Sequence, residues 1–161
     1  MAPAQHLKKS RRRIVADLQR QLEVARRYGR PLSVVLAEIE GVSPDADLRT
    51  MHAVGRLVNR TKRRADFAAR WGEFEFVVIL PETELSAAQA FARRLCAALA
   101  TTPVMGRTLT MSAGVNQCNP EDEAEDALTA AEFWLYRAKQ GGTTQVLSCL
   151  DSEVSHAPEA R

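Results

Sequence analysis

Apolar positions recur at helical spacing in four stretches of this chain, and the stretches between them alternate or run continuously apolar. Ile14, Leu18, Leu22 and Ala25 form one stripe, which predicts a helix from Ser10, a candidate N-cap, to Tyr28. "YGRP" ends it, and "LSVVLAEI" is a β-rich run that fits a buried strand. After the turn "GVSPD", Leu48, Met51, Val54 and Val58 predict the inward face of a second helix over 46–60. "DFAARW" and "FEFVVIL" read as the two strands of a hairpin joined by a tight two-residue turn. A third helix carries Leu85, Phe91, Leu95 and Leu99, and "TLTMSAGV" is a further strand. "EDEAEDALTAAEFWLYRAKQ" is a fourth helix whose acidic start suits its positive dipole end. "GG" stops it, and "TTQVLSCL" predicts a last strand. The order α, β, α, β-hairpin, α, β, α, β argues an α/β (α+β) fold with a single mixed central sheet and helices packed around it. One domain is expected over residues 10–150, after a disordered N-terminus (1–9) and before a flexible tail (151–161).

Composition changes this picture little. The 161 residues are 45% apolar and 26% charged, ordinary for a soluble globular domain. No run approaches the ~18 apolar residues of a membrane span, and the polar, basic start has no apolar signal core, so a cytoplasmic protein without a membrane partner is expected. Cys96, Cys118 and Cys149 form neither a zinc pattern nor a disulfide framework and are expected to be buried thiols. His6, His52 and His156 do not cluster. Net charge is only +2, yet residues 1–30 carry nine Lys/Arg against Asp17 and Glu23, "RTKRR" is a second basic run and "EDEAED" an acidic one. These runs read first as solvated faces. No recognition motif accompanies them, so nucleic acid is not an expected partner.

Four strings, in order, resemble a GGDEF domain, the diguanylate cyclase family: "RRYGRPLSVVLAEIE", the hairpin "RWGEFEFVVILP", "TLTMSAGV" and "AEFWLYRAKQGG". They stand beside that family's R-Y-G-G-[DE]-E-F signature, T-[VI]-S-[IA]-G-V strand and A-D-x-A-L-Y-x-A-K-x-x-G helix end. The resemblance implies a fold similar to the palm of nucleotide cyclases and polymerases. In active members it implies condensation of two GTP into cyclic di-GMP by a homodimer, with Mg²⁺ or Mn²⁺ held by carboxylates.

This chain departs from the family at one catalytic place after another. Glu38 stands where the first metal-binding Asp is expected. Gly72, Glu73, Phe74, Glu75 and Phe76 fill the five signature places, which puts an aromatic ring at the second metal carboxylate and a side chain, Glu73, at the second glycine. Glu75 matches the fourth letter; strand periodicity points it away from its immediate neighbours, on the face of Glu73. The segment that holds guanine in the family is about seven residues short here, with only Asp45 and Asp47 left in it. Lys139 keeps the phosphate-binding Lys, but Thr143 replaces the Arg four places on. Losing base, metal and phosphate contacts together leaves little differential transition-state binding. The expectation is therefore a degenerate, catalytically inactive domain with no cofactor, Mg²⁺ entering only with residual GTP binding.

A different string is kept. "RRAD" supplies Arg63 and Asp66 in the register of the family's R-x-x-D product site, six residues before Gly72, and "FARRL" offers Arg94, or Arg93 beside it, as a second arginine. An arginine fork can donate to guanine O6 and N7, and a carboxylate can accept from its N1 and N2 hydrogens. The resemblance thus implies a cyclic di-GMP-binding regulatory module. Against it stands the reading of Arg63 and Asp66 as a surface ion pair worth ~0–1 kcal/mol, in a domain that works through a homodimer or a protein partner instead.

Overall fold

The computed structural model describes residues 3–43 and 48–154. The apolar run Leu32–Glu40 forms the central strand, β1, with Leu32 to Ala37 all at most 2% exposed. Its alternation sends Val35, Ala37 and Ile39 into one hydrophobic cluster and Leu32, Val34 and Leu36 into another. Around it come helix α1 (Pro3–Tyr28), α2 (Leu48–Thr61), β2 (Phe67–Arg70), β3 (Glu75–Pro81), α3 (Leu85–Thr101), β4 (Thr110–Gln117), α4 (Ala124–Gln140), β5 (Val146–Leu147) and α5 (Cys149–Val154). The sheet order is β2-β3-β1-β4-β5. All pairs are antiparallel except β4 with β5, so the sheet is mixed, as expected. Helices α2 and α3 fill one face, and α1 and α4 the other. On α1 the predicted stripe is buried, with Ile14, Leu18 and Leu22 at 4%, 1% and 2% exposure; each such side chain contributes about 1.5–3 kcal/mol.

Several expectations are corrected. Helix α1 begins at Pro3, not Ser10. Its first turns carry no core stripe, but Ala, Gln, Leu and Lys are good helix formers and proline suits a first helical position. Ser10 lies inside the helix, and its hydroxyl donates to the Arg70 carbonyl at 3.3 Å instead of capping. The hairpin connection is Trp71–Phe74, four residues rather than two, closed by Trp71 N–H on the Glu75 carbonyl at 2.8 Å. Leu48, predicted inward, is 56% exposed in the first turn of α2, and Leu57 joins the core. The last strand is only Val146–Leu147, because Ser148 caps α5: its N–H donates to Asp151 Oδ2 (2.8 Å) while its hydroxyl accepts from Leu150 N–H (3.2 Å). That turn leaves Cys149 exposed, whereas burial pushes the Cys96 thiol up to about 11 and that of Cys118 to about 12. Residues 44–47, with Asp45 and Asp47, and residues 155–161, with His156, lie outside the described residues.

Helix α4 lies directly on β4. It starts in a capping box, Glu123 N–H donating to Asp126 Oδ2 at 2.9 Å, and crosses Gly114. A Cβ added at Gly114 would meet Leu135 N at 2.2 Å and Ala131 O at 2.3 Å. These are backbone atoms, so no side-chain rotation relieves the clash. Gly114→Ala is therefore expected to cost about 1–3 kcal/mol or more, read as a lowered urea midpoint, with a loss of the same size absent at Gly141, where φ is −82° and an added Cβ would meet nothing closer than 3.6 Å.

Candidate functional site

The end of β1, the hairpin and the end of α4 converge on one cluster of charges. Glu38 and Glu75 are directly opposite each other in the β1–β3 register. By parity both lie on the face covered by α1 and α4, with Val77 and Leu36. Lys139, near the end of α4, places Nζ 2.7 Å from Glu38 Oε2. Burial, then the neighbouring Glu38 charge, pushes the Glu75 carboxyl above its ordinary value, while Arg11 and Lys139 pull it back. The hydrogen bond to Glu38 holds the Lys139 ammonium above its usual range.

The hairpin tip turns in on itself. Phe74 packs half-buried against the cluster beneath α2 and α3, and its carbonyl accepts from Ile39 N–H at 2.9 Å. Glu73 is exposed at the tip and, contrary to its expected shared face, does not join Glu75 and Glu38. A Cβ at Gly72 would come within 3.0 Å of the Glu75 carboxyl group, so this glycine makes room for the chain's own side chain. Arg70 donates to the Gly72 carbonyl (3.3 Å) and the Glu73 carbonyl (2.5 Å); burial lowers its pKa.

Two participants are invisible in the sequence pattern. Arg11 of α1 sits 4.4 Å from the Trp71 ring centroid and donates from Nε to the Trp71 carbonyl. Glu132 of α4 accepts from Trp71 Nε1–H at 3.3 Å. The signals available were the Arg-rich start of α1 and a tryptophan where the family has tyrosine, but no spacing links 11, 71 and 132.

Arg63 and Asp66 are brought together. Asp66 is buried, its side chain 0% exposed, and it accepts from the Arg63 backbone N–H (2.8 Å) and from Arg63 Nη2 (3.0 Å). The same Nη2 donates to the Pro81 carbonyl (2.9 Å) and Thr83 hydroxyl (2.7 Å), tying this turn to the end of β3. Arg63 remains 54% exposed. Asp66 is thus a buried partner of Arg63 and not an open acceptor beside it. Arg94 is exposed on α3, with its guanidinium 5.6 Å from the Phe91 ring centroid. Among the described residues no hydrogen bond or ion pair joins Arg94 or Arg93 to Arg63 or Asp66. Among those residues there is also no group of three or more metal-binding side chains, and no helix is long and apolar enough to cross a membrane.

The arrangement is that of a known class. Residues 46–145 match the family model of the diguanylate cyclase GGDEF domain, and the chain belongs to that family. It is similar to the diguanylate cyclase DgcP of Pseudomonas aeruginosa, 33% identical over 133 residues, which are 74% of this chain and 20% of that protein. The chain therefore spans about a fifth of that relative's length. Its fold is similar to the active GGEEF domain of a diguanylate cyclase from Vibrio cholerae (TM-score 0.78, 21% identity, 85% of this chain and 94% of that one). It is also similar to the GGDEF domain of Caulobacter crescentus DgcB in complex with c-di-GMP (TM-score 0.76, 19% identity, 84% and 87%).

The raised Glu75 pKa has a definite sign. A carboxyl harder to ionise in the folded state costs stability as pH rises from its ordinary value near 4.5 through its raised one. Glu75→Gln is expected to melt higher than the parent at pH 7, with the difference vanishing below about pH 4, in thermal unfolding followed across that range.

Proposed function

We propose that this chain is a GGDEF domain without GTP-condensing activity that serves as a cyclic di-GMP-responsive regulatory module, with the ligand read at the Arg63–Asp66 turn. The observation that carries the reading is that turn: a buried carboxylate that accepts from the Arg63 backbone N–H, Nε and Nη2 holds a half-exposed guanidinium in place. Arg63 is then the contact to guanine or phosphate, Asp66 orients it, and Arg94 is the candidate second cation. This shifts Asp66 from acceptor of the base to positioning residue, because its oxygens are turned inward.

The hairpin end of β1 supports the absence of catalysis. A divalent ion there would be held by one or two free carboxylates together with water and substrate phosphates. The donor set does not fit: Glu38 is already neutralised by the Lys139 ammonium, the Glu75 carboxyl opposite it is made harder to ionise by burial and by the Glu38 charge, and Phe74 offers a phenyl ring where the family's second metal carboxylate would stand. Lys139 bonded to Glu38 is also drawn away from any phosphate. A protein-interaction module that binds no nucleotide is the second reading, favoured by the exposed basic first turns of α1.

Titration calorimetry with cyclic di-GMP tests the first reading. Wild type is expected to give saturable heat. Arg63→Ala should lose about tenfold or more in affinity, a guanine contact being worth roughly 1–3 kcal/mol. Arg63→Lys keeps the charge beside Asp66 but not the fork, so it separates lost contact from lost fold. No heat from wild type overturns the reading. Incubation with GTP and Mn²⁺ should yield no cyclic di-GMP by chromatography; product would overturn the inactive assignment.

A further inference from the structure

We propose that the outer edge of β2 is a docking site for an extended acidic peptide of a partner protein, which adds to the sheet as a sixth strand. The inference is independent of the cyclic di-GMP reading. Trp71 N–H bonds the Glu75 carbonyl, and Arg70 stands opposite Phe76 and Ala68 opposite Val78. The antiparallel alternation then directs the main-chain N–H and C=O of Ala68 and Arg70 away from β3, off the edge. Ser10 takes the Arg70 carbonyl. Among the described residues no side chain bonds the outward groups of Ala68. An unpaired edge of this kind is a template for another strand.

Grooves flank the edge on both faces, with Ala68 and Ala69 common to the two. The one toward α1, about 380 Å³, is polar, with Ser10, Arg13, Asp17 and Lys62 in its walls. The one toward α2, about 350 Å³, has Met51, Gly55, Val58 and Phe76, with Arg56 beside them. Asp17 is paired with Arg20, and Asp66 with Arg63. Arg13, Lys62 and Arg56 have no ion-pair partner among the described residues. Residues 48–70 carry seven Lys/Arg and a single acidic residue. An extended peptide alternates its side chains between the two faces. Acidic groups on one face would meet Arg13 and Lys62, and apolar groups on the other would enter the α2 groove. The same charges argue against a second copy, because two β2 edges in register would bring the unpaired cations together.

The test uses the full chain and a fluorescein-labelled (Glu-Val)₄ peptide, followed by anisotropy and by ¹⁵N amide shifts. Saturable binding that shifts the Ala68 and Arg70 amides is expected. A tenfold or greater weakening is expected in R13E/K62E, with Arg13 exposed and Lys62 half-buried, in a variant whose fold circular dichroism shows intact. A similar loss is expected when alternate peptide residues are N-methylated, which removes ladder donors. The proposal is overturned by absent saturation, by shifts mapping elsewhere, or by equal binding of (Lys-Val)₄, octaglutamate or the N-methylated peptide. Sedimentation showing that the edge instead pairs with a second copy would overturn it equally.

Discussion

Strand β1 is bonded on one side to β3 and on the other to β4, and both its faces are covered. Its ladder leaves it no freedom to shift, since a one-residue slip would turn Val34 and Leu36 out of one cluster and into the other. The positions of Glu38 and Ile39 follow from that. Ile39 N–H reaches the hairpin tip through the Phe74 carbonyl, so the tip is fixed by the strand next to it as well as by its own turn. Whatever happens at the charged end of the sheet is set by a carboxylate that cannot retreat.

Two carboxylates directly opposite each other on neighbouring strands repel. Lys139 offsets this from α4, and Arg11 approaches from α1. Both helices therefore touch the hairpin through charged or aromatic groups. Trp71 is the shared point, with Arg11 over its ring and Glu132 on its indole nitrogen. The basic beginning of α1 is thereby not a free arm over its whole length, because Ser10 and Arg11 bind the hairpin while their neighbours stay exposed. The Glu38 charge is thus met inside the chain, by the Lys139 ammonium.

The fold was legible because burial and period agree. The run "LSVVLAEI" had no place but the middle of a sheet, and the stripe on α1 predicted the residues that cover it. Legibility failed where local bonds override pattern. Ser148 looked like strand because its neighbours are apolar, yet its cap with Asp151 starts a helix. Gln5 to Lys9 showed no core stripe, and propensity alone carries that turn. At the site, register placed Arg63 and Asp66 in one turn, but no sequence spacing tells that Asp66 faces inward. The pairing of Glu38 with Glu75 depends on strand order, and the ammonium beside Glu38 on α4 crossing β4 at Gly114.

Strand β2 is four residues long, about 13 Å, and each of its ends meets one of the two sites. Asp66 precedes it and Trp71 follows it. The hairpin is also tied at its far end, where Arg63 bonds the Pro81 carbonyl and Thr83 hydroxyl. A ligand that takes the Nη2 donor of Arg63 must compete with those two acceptors, whereas one that binds the other guanidinium edge leaves them in place. In the first case the end of β3 loses its tie to this turn, while Thr83 stays bonded to Ser33 and Pro31. In the second, Asp66 keeps its bonds from Arg63 and the turn stays as it is. Regulation through this turn therefore requires a ligand that displaces Pro81 and Thr83, since only that binding mode carries differential free energy to the hairpin.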